Sequence, residues 1–114
     1  MFEQAFKRNL KEECGLTEHS TLNAHFLMEY YGIPNKITLT YMQLPWDYIT
    51  TLEWDNGNSV NLTGFAWGYG GNRPRGLADL LFSLDESKNI EEWMQLIGSL
   101  NRKIINYVIF TKRI

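Results

Sequence analysis

Cysteine is almost missing from this 114-residue chain. Cys14 stands alone, which excludes an internal disulfide and any cysteine-rich zinc site. Histidine is nearly as scarce. His19 and His25 lie six positions apart, so on a helix they point to different faces and make no metal pair. No apolar run approaches the roughly 20 residues of a membrane-spanning helix. Glu3, Lys7 and Arg8 interrupt any apolar leader, so no signal peptide is expected. There is no basic surplus either: a net charge of −2 argues against nucleic acid as a partner. No linker, repeat or low-complexity tract divides the chain, and its length suits one domain, residues 1–114. These absences predict a cytoplasmic protein away from any membrane. In that setting the Asn61-Leu62-Thr63 sequon carries no glycan.

Aromatics and glycines are plentiful. Four Trp, six Tyr and six Phe favour a compact core, a binding surface, or both. Five of the nine glycines fall in Gly64 to Ala78, GFAWGYGGNRPRGLA. An apolar run ends there at Trp67, and a helical pattern starts at Pro74. Glycines allow positive φ and close approach of the backbone. A helix N-terminus presents unpaired N–H groups and a partial positive charge. Arg73 and Arg75 add full charge and planar donors. Together these are the physics of an anion site, most often a phosphate. The expected ligand-binding set is Trp67, Gly68, Tyr69, Gly70, Gly71, Asn72, Arg73 and Arg75. The competing structural reading is a tight strand-to-helix connection with solvated arginines. The dinucleotide fingerprint fails at Arg73, and P-loop spacing from Gly71 fails at Leu77 and Ala78.

The remaining elements follow in order. Residues 2–14 read as a helix with Phe2, Ala5, Phe6 and Leu10 on one face, stopped by Gly15. Residues 20–31 read as a second helix, N-capped by Ser20 or Thr17. Leu22, Phe26 and Tyr30 recur at i, i+4, i+8 and, with Leu27 and Tyr31, predict its inward face. Gly32 ends it. Residues 37–43 and 48–54 read as strands, and Asp55-Asn56-Gly57 as a turn into a partner strand at 58–66. A three-residue loop with left-handed Gly57 places Leu52 opposite Val60 and Thr50 opposite Leu62, which keeps apolar residues on one face. Residues 74–84 predict a helix with Leu77, Leu80, Leu81 and Leu84 inward and Asn72 as N-cap. Residues 90–101 predict another, with Ile90, Trp93, Met94 and Ile97 inward, and 104–111 a last strand. The fold class is α+β: two N-terminal helices, an antiparallel meander, two further helices and a C-terminal strand in one sheet. The apolar last strand and the surplus of aromatics predict a homo-oligomer.

Two stretches invite comparison with families. Arg8 to Leu16, RNLKEECGL, resembles the second half of a Nudix box, whose helical glutamates hold a metal that activates a pyrophosphate. Glu12 and Glu13 match its acidic pair, and Gly15 and Leu16 its ending. Asn9 stands where that motif has Glu, and its upstream Gly and Glu would fall at or before Met1. An acidic helix ending in Gly-Leu is also an ordinary C-cap, so Glu12 and Glu13 are expected to bind no catalytic metal. Phe65 to Ala78 resembles a small bacterial and archaeal domain family of no settled activity. Trp67, Gly68, Tyr69, Gly70, Gly71, Pro74, Leu77 and Ala78 carry the match, and Arg73 stands where a small residue is usual. The resemblance implies that the loop is a unit. Compact domains of this kind also look like products of phages and mobile elements.

The leading expectation is a non-catalytic module that binds a phosphorylated small molecule, a nucleotide in its most specific form. A phage-type protein sequestering a nucleotide signal is one version. The loop and helix N-terminus would take the phosphate, and Trp67 or Tyr69 would stack on a base. The alternative is a protein-binding inhibitor or adaptor with Trp46, Tyr48 and Trp54 as aromatic anchors. An enzyme ranks last, because no Ser-His-Asp set, metal cluster or credible carboxylate pair is visible, and no cofactor is expected.

Overall fold

A computed structural model describes residues 10–11, 17–41, 48–101 and 107–110. In chain order these form β1 (Leu10–Lys11), α1 (Thr17–Tyr31), β2 (Lys36–Tyr41), β3 (Tyr48–Glu53), β4 (Ser59–Leu62), α2 (Asn72–Leu84), α3 (Ile90–Ser99) and β5 (Tyr107–Phe110). The architecture is α+β. One sheet has the order β1-β4-β3-β2-β5. Every pair is antiparallel except β1–β4. The chain's last described strand therefore returns to β2 and forms one edge of the sheet.

The predicted helix over 2–14 is corrected where it is described. Leu10 and Lys11 are strand, paired in parallel with Val60 and Asn61. Local apolar spacing cannot register a sheet edge that becomes available only after some fifty intervening residues have folded. Phe2, Phe6, Glu12, Glu13, Gly15 and Trp46 lie outside the described residues.

The central hairpin forms as its sequence dictates. Leu52 pairs with Val60 and Thr50 with Leu62. Trp54 and Asn58 close the loop: Trp54 N donates to Asn58 O at 3.0 Å, and Gly57 N to Trp54 O at 3.1 Å. Gly57 has φ +86°, a conformation that costs other residues steric strain. Ile37, Leu39, Leu52, Val60 and Leu62 are fully buried and share one core with Leu27, Leu77, Leu81, Trp93 and Ile97. That single cluster joins the sheet to all three helices.

The helix ends differ in detail from the sequence expectation. α1 begins at Thr17 and stops at Gly32, whose N donates to Met28 O at 2.8 Å. Asn72 is inside α2, and Gly71 is its N-cap, without a side-chain hydrogen bond. α3 carries a full capping box: Asn89 accepts from Glu92 N at 2.8 Å, and Glu92 accepts from Asn89 N at 2.9 Å. Its inward face is Trp93 and Ile97, while Met94 is exposed.

Candidate functional site

β4 ends at Leu62, well short of the predicted 66, and the chain then runs irregularly to Gly71. Irregular backbone is normally found at the surface, where water satisfies it. Here Thr63 through Trp67 are buried. Side chains satisfy the segment instead. Ser20 Oγ accepts from Gly64 N at 2.8 Å, and Thr17 Oγ1 donates to Gly64 O at 2.7 Å. Thr17 and Ser20 therefore do not cap α1. They lie within its first turn and clamp both polar groups of one glycine. At the far end, Gly68 N donates to Ile97 O at 2.9 Å. The loop is thus fastened to α1 and to α3.

The predicted ligand residues separate into two groups. Trp67 is fully enclosed, edge-on to the Tyr48 ring at 4.8 Å between centroids, and presents no face to a base. Arg73 turns inward. Its Nη2 donates to Thr63 O at 3.1 Å, and its guanidinium carbon lies 5.4 Å from the Tyr48 centroid. Both act as supports of the loop. Gly70, Gly71, Asn72 and Arg75 are exposed, and Gly68 and Tyr69 are half-buried. Arg75 Nε lies 3.3 Å from Asp79 Oδ1, an exposed i,i+4 pair. Gly71 holds φ 147°, ψ −174°, a region open essentially to glycine. The hollow at Tyr69, Gly71 and Pro74 measures about 30 Å³, the size of a single water. A much larger cleft of about 790 Å³ lies beyond Arg75, where the first turns of α1 and α2 meet. Thr17, Glu18, Asn72 and Asp79 line it with Arg75. Gly76 lets the two helices meet, because a Cβ there would collide with the Thr17 methyl and press on Phe65.

The outer face of α1 is the feature that sequence periodicity assigned to the wrong side. The buried positions are Ser20, Ala24 and Leu27. Leu22, Phe26 and Tyr30 are 66%, 57% and 62% exposed, and Ile33 just past the helix is 52% exposed. The stripe at i, i+4, i+8 exists, but it points outward. Small residues let α1 sit close to Gly64 and α2, so the packed face is the less hydrophobic one. The signal that could have revealed this is the pairing of Ser20 and Ala24, four apart, opposite the aromatics. The predicted anchors Tyr48 and Trp54 are core residues, with Trp54 Nε1 donating to Gly32 O at 2.8 Å.

Among the described residues no three His, Cys, Asp or Glu converge on a metal-sized site. No described helix is long and apolar enough to cross a membrane. The chain matches no known family model, no curated protein and no solved structure.

Proposed function

We propose that this chain is a protein-binding module whose recognition surface is the outer face of α1. The observation that carries the reading is the exposed stripe Leu22, Phe26, Tyr30 and Ile33. Contiguous exposed apolar groups on a soluble protein mark interaction surfaces. An amphipathic helix lays such a stripe into an apolar groove through anchors at helical spacing. Glu18 and Glu29 flank the stripe, and α1 contains no Lys or Arg. The fitting partner is therefore a protein with an apolar groove and a basic rim. Photo-crosslinking from positions 22 and 26 tests this, with exposed Glu91 as control position. One heterologous protein should be captured from 22 and 26 and not from 91. Its purified form should bind wild type and lose roughly tenfold to a hundredfold in affinity with Phe26→Ser, the worth of one buried aromatic. Equal capture from all three positions would sink the reading. Capture of a second copy of this chain would make the surface a self-association interface.

A second reading keeps the phosphorylated small molecule, a nucleotide in its specific form. What favours it is the N-terminus of α2, where Gly71 supplies no side-chain cap and Gly70, Asn72 and Arg75 are exposed. In this version Arg75 neutralises the phosphate, while Arg73 and Trp67 support the loop. A thermal-shift screen against nucleotides tests it, since a ligand specific to the folded state raises the melting temperature. No shift with any nucleotide, or a shift unchanged in Arg75→Ala, removes this reading.

A further inference from the structure

A smaller cleft of about 350 Å³ opens at the turn of the β3–β4 hairpin, where β2 begins. Asn35, Lys36, Glu53, Trp54, Asn58 and Ser59 line it. Asn58 is only 1% exposed. Among the described residues, its Oδ1 and Nδ2 and the Oδ1 of Asn35 are buried without a hydrogen-bond partner. Buried polar side chains are nearly always paired, so each exception calls for a reason. Thr50 Oγ1 and Trp67 Nε1 are also unpaired but do not line this cleft. Two acceptors and one donor are gathered here at a single opening.

We infer that this cleft recognises one residue of an extended peptide, held by its backbone N–H and C=O. A carboxamide presents donor and acceptor side by side. The N–H and C=O of one extended residue point the same way and match that pair. Exchanging O and N of Asn58 leaves the match intact, because both atoms are free. Asn35 Oδ1 is available to a second N–H. The backbone around the cleft is already committed. Asn35 N donates to Glu53 O at 2.9 Å, Asn58 N to Asn56 Oδ1 at 3.0 Å, and Asn58 O accepts from Trp54 N at 3.0 Å. Recognition therefore falls to the two side chains, on a fixed frame. Charge points to a neutral ligand, since Lys36 Nζ lies 3.0 Å from Glu53 Oε1 and the pair cancels. A nucleobase fits less well. Trp54 is nearly enclosed and tilts against Tyr31, so no aromatic face is open for stacking. This site uses other residues than the α1 stripe, and neither proposal depends on the other.

The test uses the full chain labelled with nitrogen-15 and observes the Asn35 and Asn58 side-chain amide resonances. The probe is capped trialanine, with its ester analogue lacking the central N–H as comparison. Both resonances should shift with the peptide and saturate at millimolar concentration. The ester should bind on the order of tenfold more weakly, as expected for one lost hydrogen bond. Asn35→Ala, at a half-buried position, should keep the backbone spectrum and weaken the peptide severalfold. Asn58→Leu should abolish the response, and Asn35→Ala still decides the matter if that variant fails to fold. No shift, an equal response to the ester, or a bound water that the peptide does not displace would overturn the proposal. A response to adenosine without one to the peptide would overturn it in favour of a base site.

Discussion

Two regions of this molecule have exchanged the positions that their sequences suggest. The glycine-rich stretch after β4 looks like an exposed site, yet its first half is among the most enclosed backbone in the protein. The aromatic stripe of α1 looks like core, yet it faces outward. Glycine reports what a backbone can do, and it does not report whether a ligand or another helix uses the space. Gly76 is the clear case, since the object that approaches it is Thr17 of α1. Apolar periodicity likewise reports that a helix has a face, and not which face packs. Close packing favours small residues, so Ser20 and Ala24 outcompete Phe26 and Tyr30 for the interior. A cluster of large exposed side chains is then available for another molecule.

The contrast can be broken by measuring stability on both sides of it. Trp67→Ala should have the largest effect. It empties the centre of the core and should cost about 3–5 kcal/mol. At this chain length that lowers the melting temperature by roughly 10 °C or more. A small loss would mean that the ring contributes little packing and is free to serve a ligand. Arg73→Ala should come next. It removes the donor to Thr63 O and the contact with Tyr48, for a loss of about 1.5–3 kcal/mol. Arg73→Lys should recover only part of this, because an ammonium lacks the planar fork. If Arg73→Ala melts with wild type but loses a phosphate ligand, the inward role given to Arg73 is wrong. Ser20→Ala should cost about 1–3 kcal/mol by leaving the buried Gly64 N–H without its acceptor. Chemical denaturation with unchanged slope would check that the loss lies in the folded state.

Much of the fold was legible because its causes are local. Asp55-Asn56-Gly57 and the alternating apolar residues around it determine a hairpin register, and Leu52 does face Val60. Gly32 ends α1 for the reason its sequence suggests. The leucine stripe of α2 is buried as its spacing implies. The failures have a common cause in long-range pairing. Leu10 joins β4 across a separation that no window of sequence spans. Thr17 and Ser20 have the chemistry of N-caps, but their partner is Gly64, 47 and 44 positions away. Arg73 reads as a free cation until the Thr63 carbonyl is placed beside it. The candidate surface was least legible, because whether an apolar stripe faces in or out depends on every other element.

The smallest expected effect is the sharpest test of the contrast. Leu22→Ser and Phe26→Ser, made together, replace two large apolar side chains that sit mostly in water. In a helix whose packed face were Leu22-Phe26-Tyr30, such a change would resemble core truncation and cost several kcal/mol. On an outward face each substitution should stay within about 0.5 kcal/mol, which is the range of ordinary surface changes plus the slightly lower helix propensity of serine. The measurement is a melting curve of the double variant beside Trp67→Ala, at one concentration and pH. A pair that melts within a few degrees of wild type, while Trp67→Ala collapses, confirms that the stripe is surface and the loop is core. A pair that falls as far as Trp67→Ala shows that the stripe is packed in solution, and the docking surface proposed for α1 is then gone. Sedimentation of the same variant separates the remaining case. If wild type is a dimer and the double variant a monomer, the stability lost is that of an interface, and it should grow with protein concentration in wild type alone.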